Sequence, residues 1–181
     1  MINFNGNIVD ESNQLSNNRG FLFGDAVFET LRVISNYIPF WEDHYFRLMA
    51  SMRVLRFNIP DSFTPEFLKN EILKLHSKSN LGLNSRIRIT VYRNSSGRYK
   101  PITNDIGYII NIDRIEDSKY FIEKKEVKVD LYKDYFISNQ LVHSIKSNNK
   151  SINVLASIYA SENDLDNCIL LNDKKMVCEF I

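Results

Sequence analysis

In HSIKSNNKSINVLASIYA, residues 143–160, two lysines precede an apolar periodic run, Lys146 and Lys150, with Asn148 and Asn149 between them. A lysine amine that can shed its proton is a nucleophile toward carbonyl carbon, and desolvation or nearby positive charge is what usually frees it. Both lysines read equally as solvated charges at the start of a helix. Glu179, near the end of the last apolar segment, reads as a working carboxylate or as an outward-facing strand end. Arg47 follows His44 by three positions and precedes Ser51 by four, which puts the three on one helical face. A guanidinium there suits an oxyanion, although most helix arginines are simply solvated. Phe28 reads as a strand aromatic and Arg98 as a loop arginine.

Other chemistries find no support. GxGxxG, GxxxxGK[ST] and GxSxG patterns are absent. Cys168 and Cys178 form neither CxxC nor a zinc pattern and read as two small buried apolar residues in a reducing compartment. His44, His76 and His143 lack metal-ligand spacing, so no metal site is expected. A formal net charge of +1 with mixed signs argues against a nucleic-acid partner. No apolar run reaches the ~20 residues of a membrane span, and MINFNGNIVDESNQ is not a signal peptide, so a cytoplasmic location is expected.

The elements that must position these residues make an α+β protein rich in antiparallel sheet. At 181 residues and 44% hydrophobic, the chain suits one large domain or two small ones. INFNGNIV reads as a hairpin around Asn5-Gly6, followed by a polar loop, ESNQLSNNRG. FLFGDAVFETLRVISNYIPFW alternates and predicts two strands with a turn at Ser35-Asn36. EDHYFRLMASMRVLRF has helical spacing, and Thr64-Pro65 starts a second helix. SRIRITVYR and GYIINI are strands, and the polar residues 113–124 connect two units. EVKVDLY opens the second unit. A helix with Ile152, Leu155, Ala156 and Tyr159 on one face follows, then a CILL–MVCEF hairpin around Asn172-Asp173.

Four segments, in order, resemble one family. NRGFLFGDAVFET, HYFRL, RITVYRNSSGRYKP and CILLNDKKMVCE are similar to the motifs of the class IV aminotransferases, the fold-type-IV pyridoxal-phosphate enzymes. That family includes branched-chain and D-amino-acid aminotransferases and aminodeoxychorismate lyase. The resemblance implies an N-terminal α/β domain over 1–115 and the first part of a C-terminal cofactor-binding domain over 116–181. Ala26 stands where the family usually has Gly, and the chain stops two residues after Glu179, so a truncated member is expected.

The resemblance also implies roles. Lys146 and Lys150 both begin a Lys-x-x-Asn pattern. Counting back from Glu179, Lys146 places helix and hairpin as the family does, whereas Lys150 removes about one turn of 3.6 residues. Ser147, Asn148 and Asn149 are N-cap candidates, which puts Lys146 before the helix and Lys150 in its first turn. Lys146 is therefore the expected Schiff-base lysine. Glu179 is the expected carboxylate beside the pyridine nitrogen and Arg47 the partner of the cofactor phosphate. Phe28 and Arg98 are expected on the substrate side. The implied protein is a homodimer that moves an amino group from a branched-chain or similar amino acid to a 2-oxo acid. The alternatives are aminodeoxychorismate lyase, which the loop RNSSGRY resembles somewhat more, and a non-catalytic fragment.

Overall fold

The computed structural model describes residues 2–9, 17–115 and 125–181. The polar loop and the 113–124 connector expected from the sequence lie partly outside them. The described residues fall into two compact units. The first holds 2–9, 17–115 and the short segment Lys146–Asn148; the second holds 125–145 and 149–181.

The first unit is a five-stranded antiparallel sheet in the order β2-β1-β5-β4-β3. Its strands are β1 (Ile2–Phe4), β2 (Asn7–Val9), β3 (Ala26–Ile34), β4 (Asn84–Arg93) and β5 (Ile106–Arg114). Asn5 and Gly6 turn the first hairpin with φ of 50° and 86°, the left-handed pair that matches strand twist. Helices α2 (Trp41–Val54) and α3 (Pro65–Lys78) pack on the sheet, α2 against β3 and α3 against β1 and β5. Val27, Leu31, Val33, Ile87, Ile89, Val91 and Ile110 are buried, as are Leu48, Met52, Leu68, Ile72 and Leu75 of the helices. Period-two and helical spacing thus supply the two halves of one core. The Thr64 side chain caps α3 by accepting from the Phe67 N–H at 3.1 Å, with Pro65 at the first helical position.

The two-strand reading of residues 21–41 needs correction. Phe21, Leu22 and Phe23 close a short helix, α1 (Arg19–Phe23), capped by the Asn18 side chain and ended by Gly24 at φ 65°. Local capping outweighs the strand-like composition. Beyond the Ser35-Asn36 turn the chain makes a single bridge, Ile34 to Tyr37, and then enters α2.

The second unit is a three-stranded sheet, β6-β7-β8, built from β6 (Val129–Ile137), β7 (Asn167–Asn172) and β8 (Val177–Phe180). β6 and β7 are parallel, which requires a crossover; α4 (Leu141–Ser144) and α5 (Ser151–Glu162) lie in it. Tyr132, Ala156, Ala160, Cys168 and Leu170 form its core, with Ile152 and Tyr159 against them. Leu155, expected on that face, is exposed, and so is Cys178 on β8, in contrast to buried Cys168. Among the described residues no helix is long and apolar enough to cross a membrane.

Candidate active site at the edge of strand β3

β3 pairs with β4 on one side only. On its other side, residues 146–148 lie antiparallel to its first half. The Phe28 N–H donates to the Lys146 carbonyl at 2.8 Å, the Asn148 N–H donates to the Ala26 carbonyl at 3.0 Å, and Val27 bridges Ser147. Lys146 is thereby fixed through its backbone, leaving its side chain to reach over the sheet. Its amine lies 5.3 Å from the centre of the Phe28 ring. The Arg88 guanidinium lies over the same ring at 3.6 Å and donates to the Asn148 side chain at 3.2 Å. Burial pushes the Arg88 pKa down, and the charge of Arg86 adds to that. Among the described residues neither Lys146 nor Arg88 has a carboxylate partner. Two cations thus lie against one aromatic ring without a carboxylate partner among the described residues, which makes this edge locally positive.

Side chains alternate along a strand, so Glu29 points opposite to Phe28, toward α2. Its carboxylate, 1% exposed, accepts from Arg47 Nε at 2.5 Å and Nη2 at 2.6 Å, and contacts His44 Nδ1 at 3.0 Å. Burial pushes Glu29 up, but the hydrogen bonds and charges of Arg47 and His44 outweigh it and hold the carboxyl below its ordinary value. Arg47 is held up in turn, first by its hydrogen bond to Glu29. Its Nη1 stays available to an oxyanion, because Glu29 engages only Nε and Nη2. The sequence reading missed Glu29 and Arg88. The signal for Glu29 was an acidic residue of opposite parity to Phe28 on a strand that precedes the His44–Arg47 helix face.

Arg98 stands in the loop after β4 with its side chain exposed. Arg19, another missed residue, anchors that loop. Its guanidinium donates to the carbonyls of Gly97 at 3.0 Å and Arg98 at 2.5 Å and pairs with Asp25 at 2.9 Å. Arg93 shares Asp25 at 2.8 Å.

In the second unit, Glu179 Oε1 accepts from Asn153 Nδ2 at 3.0 Å and lies 3.4 Å from Lys150 Nζ. Lys150 is the N-cap residue of α5 rather than a member of its first turn, because the helix begins at Ser151. Each unit by itself offers group types that pyridoxal phosphate can use: in the first, a lysine amine without a carboxylate partner and a guanidinium with a spare N–H; in the second, a carboxylate whose Oε2 has no partner among the described residues.

The model of the family described as amino-transferase class IV matches residues 26–181. No curated protein matches the chain. Among solved structures, the chain is similar to a branched-chain aminotransferase of Thermoproteus uzoniensis solved with norvaline (18% identity, TM-score 0.79, 99% of this chain and 62% of that one). It is also similar to a Legionella pneumophila protein named as a 4-amino-4-deoxychorismate lyase (22% identity, TM-score 0.79, 94% and 61%). A third is a branched-chain amino acid aminotransferase of Escherichia coli (17% identity, TM-score 0.80, 99% and 60%). The chain thus spans about three fifths of the length of these structures. With the family model covering most of its residues and the fold matching throughout, the chain belongs to the class IV aminotransferases.

Proposed function

We propose that this chain carries the cofactor lysine and the amino-acid face of a pyridoxal-phosphate-dependent aminotransferase. The observation that carries the reading is Lys146, pinned by backbone hydrogen bonds to the β3 edge with its amine against Phe28 and beside Arg88. Lys146 would hold the cofactor, Glu179 its ring nitrogen and Arg47 its phosphate. When bound, pyridoxal phosphate supplies an electron sink for negative charge developing at the substrate α-carbon.

The protein's own groups do the rest. Lys146 Nζ would carry the proton that leaves the substrate α-carbon, acting as general base and then as acid. Glu179 would offer its carboxylate to the ring nitrogen and favour the protonated form of that nitrogen. Arg47 would offer its remaining N–H to the phosphate, while Glu29 fixes the guanidinium plane. The Phe28 ring excludes water from the amine, and Arg88 offers a fork to a substrate carboxylate; Arg98 stands on the loop held by Arg19. A branched-chain or similar amino acid and a 2-oxo acid are the substrates of this reading, with a homodimer as its assembly.

Borohydride reduction of the protein with pyridoxal phosphate, followed by peptide mapping, tests it. A phosphopyridoxyl group on Lys146 supports the assignment, and one on Lys150 moves the catalytic amine. No label on either lysine rejects cofactor chemistry by this chain. The Gly-containing RNSSGRY loop favours a lyase as the second reading. Turnover that requires added 2-oxoglutarate supports the transaminase, and pyruvate release without an acceptor supports the lyase.

A further inference from the structure

Glu179 takes its place from the sheet of the second unit. It pairs with Leu170 across β7 and β8, and directly opposed residues share a sheet face. Leu170 packs in the core with Ala156 and Ala160 of α5, so the Glu179 side chain stands on the helix side of the sheet. Asn153, Ala156 and Ala160 follow helical spacing on one stripe of α5. That stripe is apolar where it meets the core and ends, toward the start of the helix, in an amide that faces a carboxylate.

The helix itself does not call for an asparagine at 153. Asparagine is a poor helix former, because its side chain competes for nearby backbone groups. Here the amide is directed across to the sheet instead: Nδ2 donates to Glu179 Oε1 at 3.0 Å. Lys150 Nζ reaches the same oxygen at 3.4 Å, longer than a good charge-assisted bond. An ammonium on a flexible stem also turns easily, whereas a short amide on a half-buried helix residue holds one direction. The Glu179 side chain is 41% exposed, which leaves it room to rotate unless a hydrogen bond holds it. With Oε1 engaged, Oε2 is the oxygen left to accept from a ring nitrogen.

We infer that Asn153 is a positioning residue that sets the plane of the Glu179 carboxylate and, through it, the protonation of the cofactor's ring nitrogen. The inference rests on the role proposed above for Glu179 and adds a residue to it. Asn153 acts through Glu179 and not on the cofactor itself. Lys150 is a partly exposed, dispensable neighbour of the same oxygen.

Pyridoxal phosphate isotope-labelled at the ring nitrogen, titrated into the full chain, tests this by two readouts: the dissociation constant and the ring-nitrogen NMR resonance, which reports protonation. Asn153→Leu keeps the side-chain size and removes the donor. It should weaken cofactor binding about tenfold, the worth of one hydrogen bond to a charged acceptor. It should also move the ring-nitrogen resonance toward the unprotonated form at neutral pH. Asn153→Ala, a better helix former without added bulk, repeats the test if the leucine variant does not fold. Asn153→Gln keeps an amide and should recover part of both effects. Lys150→Ala should leave binding within about twofold. In a Glu179→Gln background, Asn153→Leu should add little, because no carboxylate remains to be positioned. If Glu179→Gln changes both readouts and neither Asn153→Leu nor Asn153→Ala does, the inference is overturned and the role of Glu179 stands. An Asn153 effect that persists in full in the Glu179→Gln background overturns it as well. Glu179→Gln without effect, or no cofactor binding by the unmutated chain, overturns both readings together.

Discussion

Replacing Arg47 with alanine tests the charge cluster behind β3. The substitution removes two charge-assisted hydrogen bonds from a carboxylate that is 1% exposed, leaving Glu29 with His44 alone. Breaking a fully buried pair from one side costs about 3–5 kcal/mol. The Arg47 side chain is 53% exposed, so solvent screening lowers the expected loss to about 2–3 kcal/mol. For a chain of this size that corresponds to a Tm drop of roughly 5–10 °C. Glu29→Gln should cost less, about 1 kcal/mol, because the released guanidinium can turn into water. The pH dependence adds a second check. Glu29 is held below its ordinary 4.5, so the unfolded state binds the proton more tightly. The contribution is present above about pH 4.5 and is lost as pH falls through the folded pKa. In the Arg47→Ala protein the burial penalty faces His44 alone, and the acid-side slope should flatten. Urea unfolding followed by circular dichroism, at neutral pH and across the acid range below the ordinary Glu value, measures both. A Glu29→Gln loss equal to or larger than that of Arg47→Ala would refute the reasoning, as would an unchanged acid slope.

Gly97 sits at φ 99°, and a Cβ there would stand 2.5 Å from the Lys100 carbonyl oxygen; Gly97→Ala should cost about 1–3 kcal/mol and speed tryptic cleavage after exposed Arg98. Burial and Glu71 push Tyr108 from 10.0 to about 12. Tyrosinate absorbance should therefore show Tyr108 titrating late, and stability should fall between about pH 10 and 12 as the unfolded state alone loses this proton. Lys150→Ala breaks a partly exposed pair and should change stability by less than about 1 kcal/mol, because Asn153 still holds Glu179. Borohydride labelling of Lys146 should survive that change and be lost in Lys146→Ala.

Patterns within a single element were legible in the sequence. The Asn5-Gly6 hairpin, the Thr64-Pro65 helix start and the alternation of Ile87, Ile89 and Val91 each depend on residues a few positions apart, where local sterics and burial period suffice. Reading 21–23 as strand failed because aromatic content carries less information than the Asn18 cap and Gly24 stop that surround it. The site divides along the same line. Lys146 and Glu179 were singled out by the ordered family motifs around them, since their local patterns read equally as solvated charges. Glu29 and Arg88 were not, because their meaning comes from partners on other elements: Glu29 from Arg47 and His44 on α2, Arg88 from Phe28 and Asn148. The sequence by itself determined the fold family, since local periodicity and ordered motifs are properties of contiguous residues. Tertiary structure alone decided that Lys146 is pinned to the edge of β3 and that Glu29 is buried and locked to Arg47. Each of these depends on which backbone groups and charges meet across a sheet edge or a helix–sheet contact, a quantity that exists only once the strands and helices have come together.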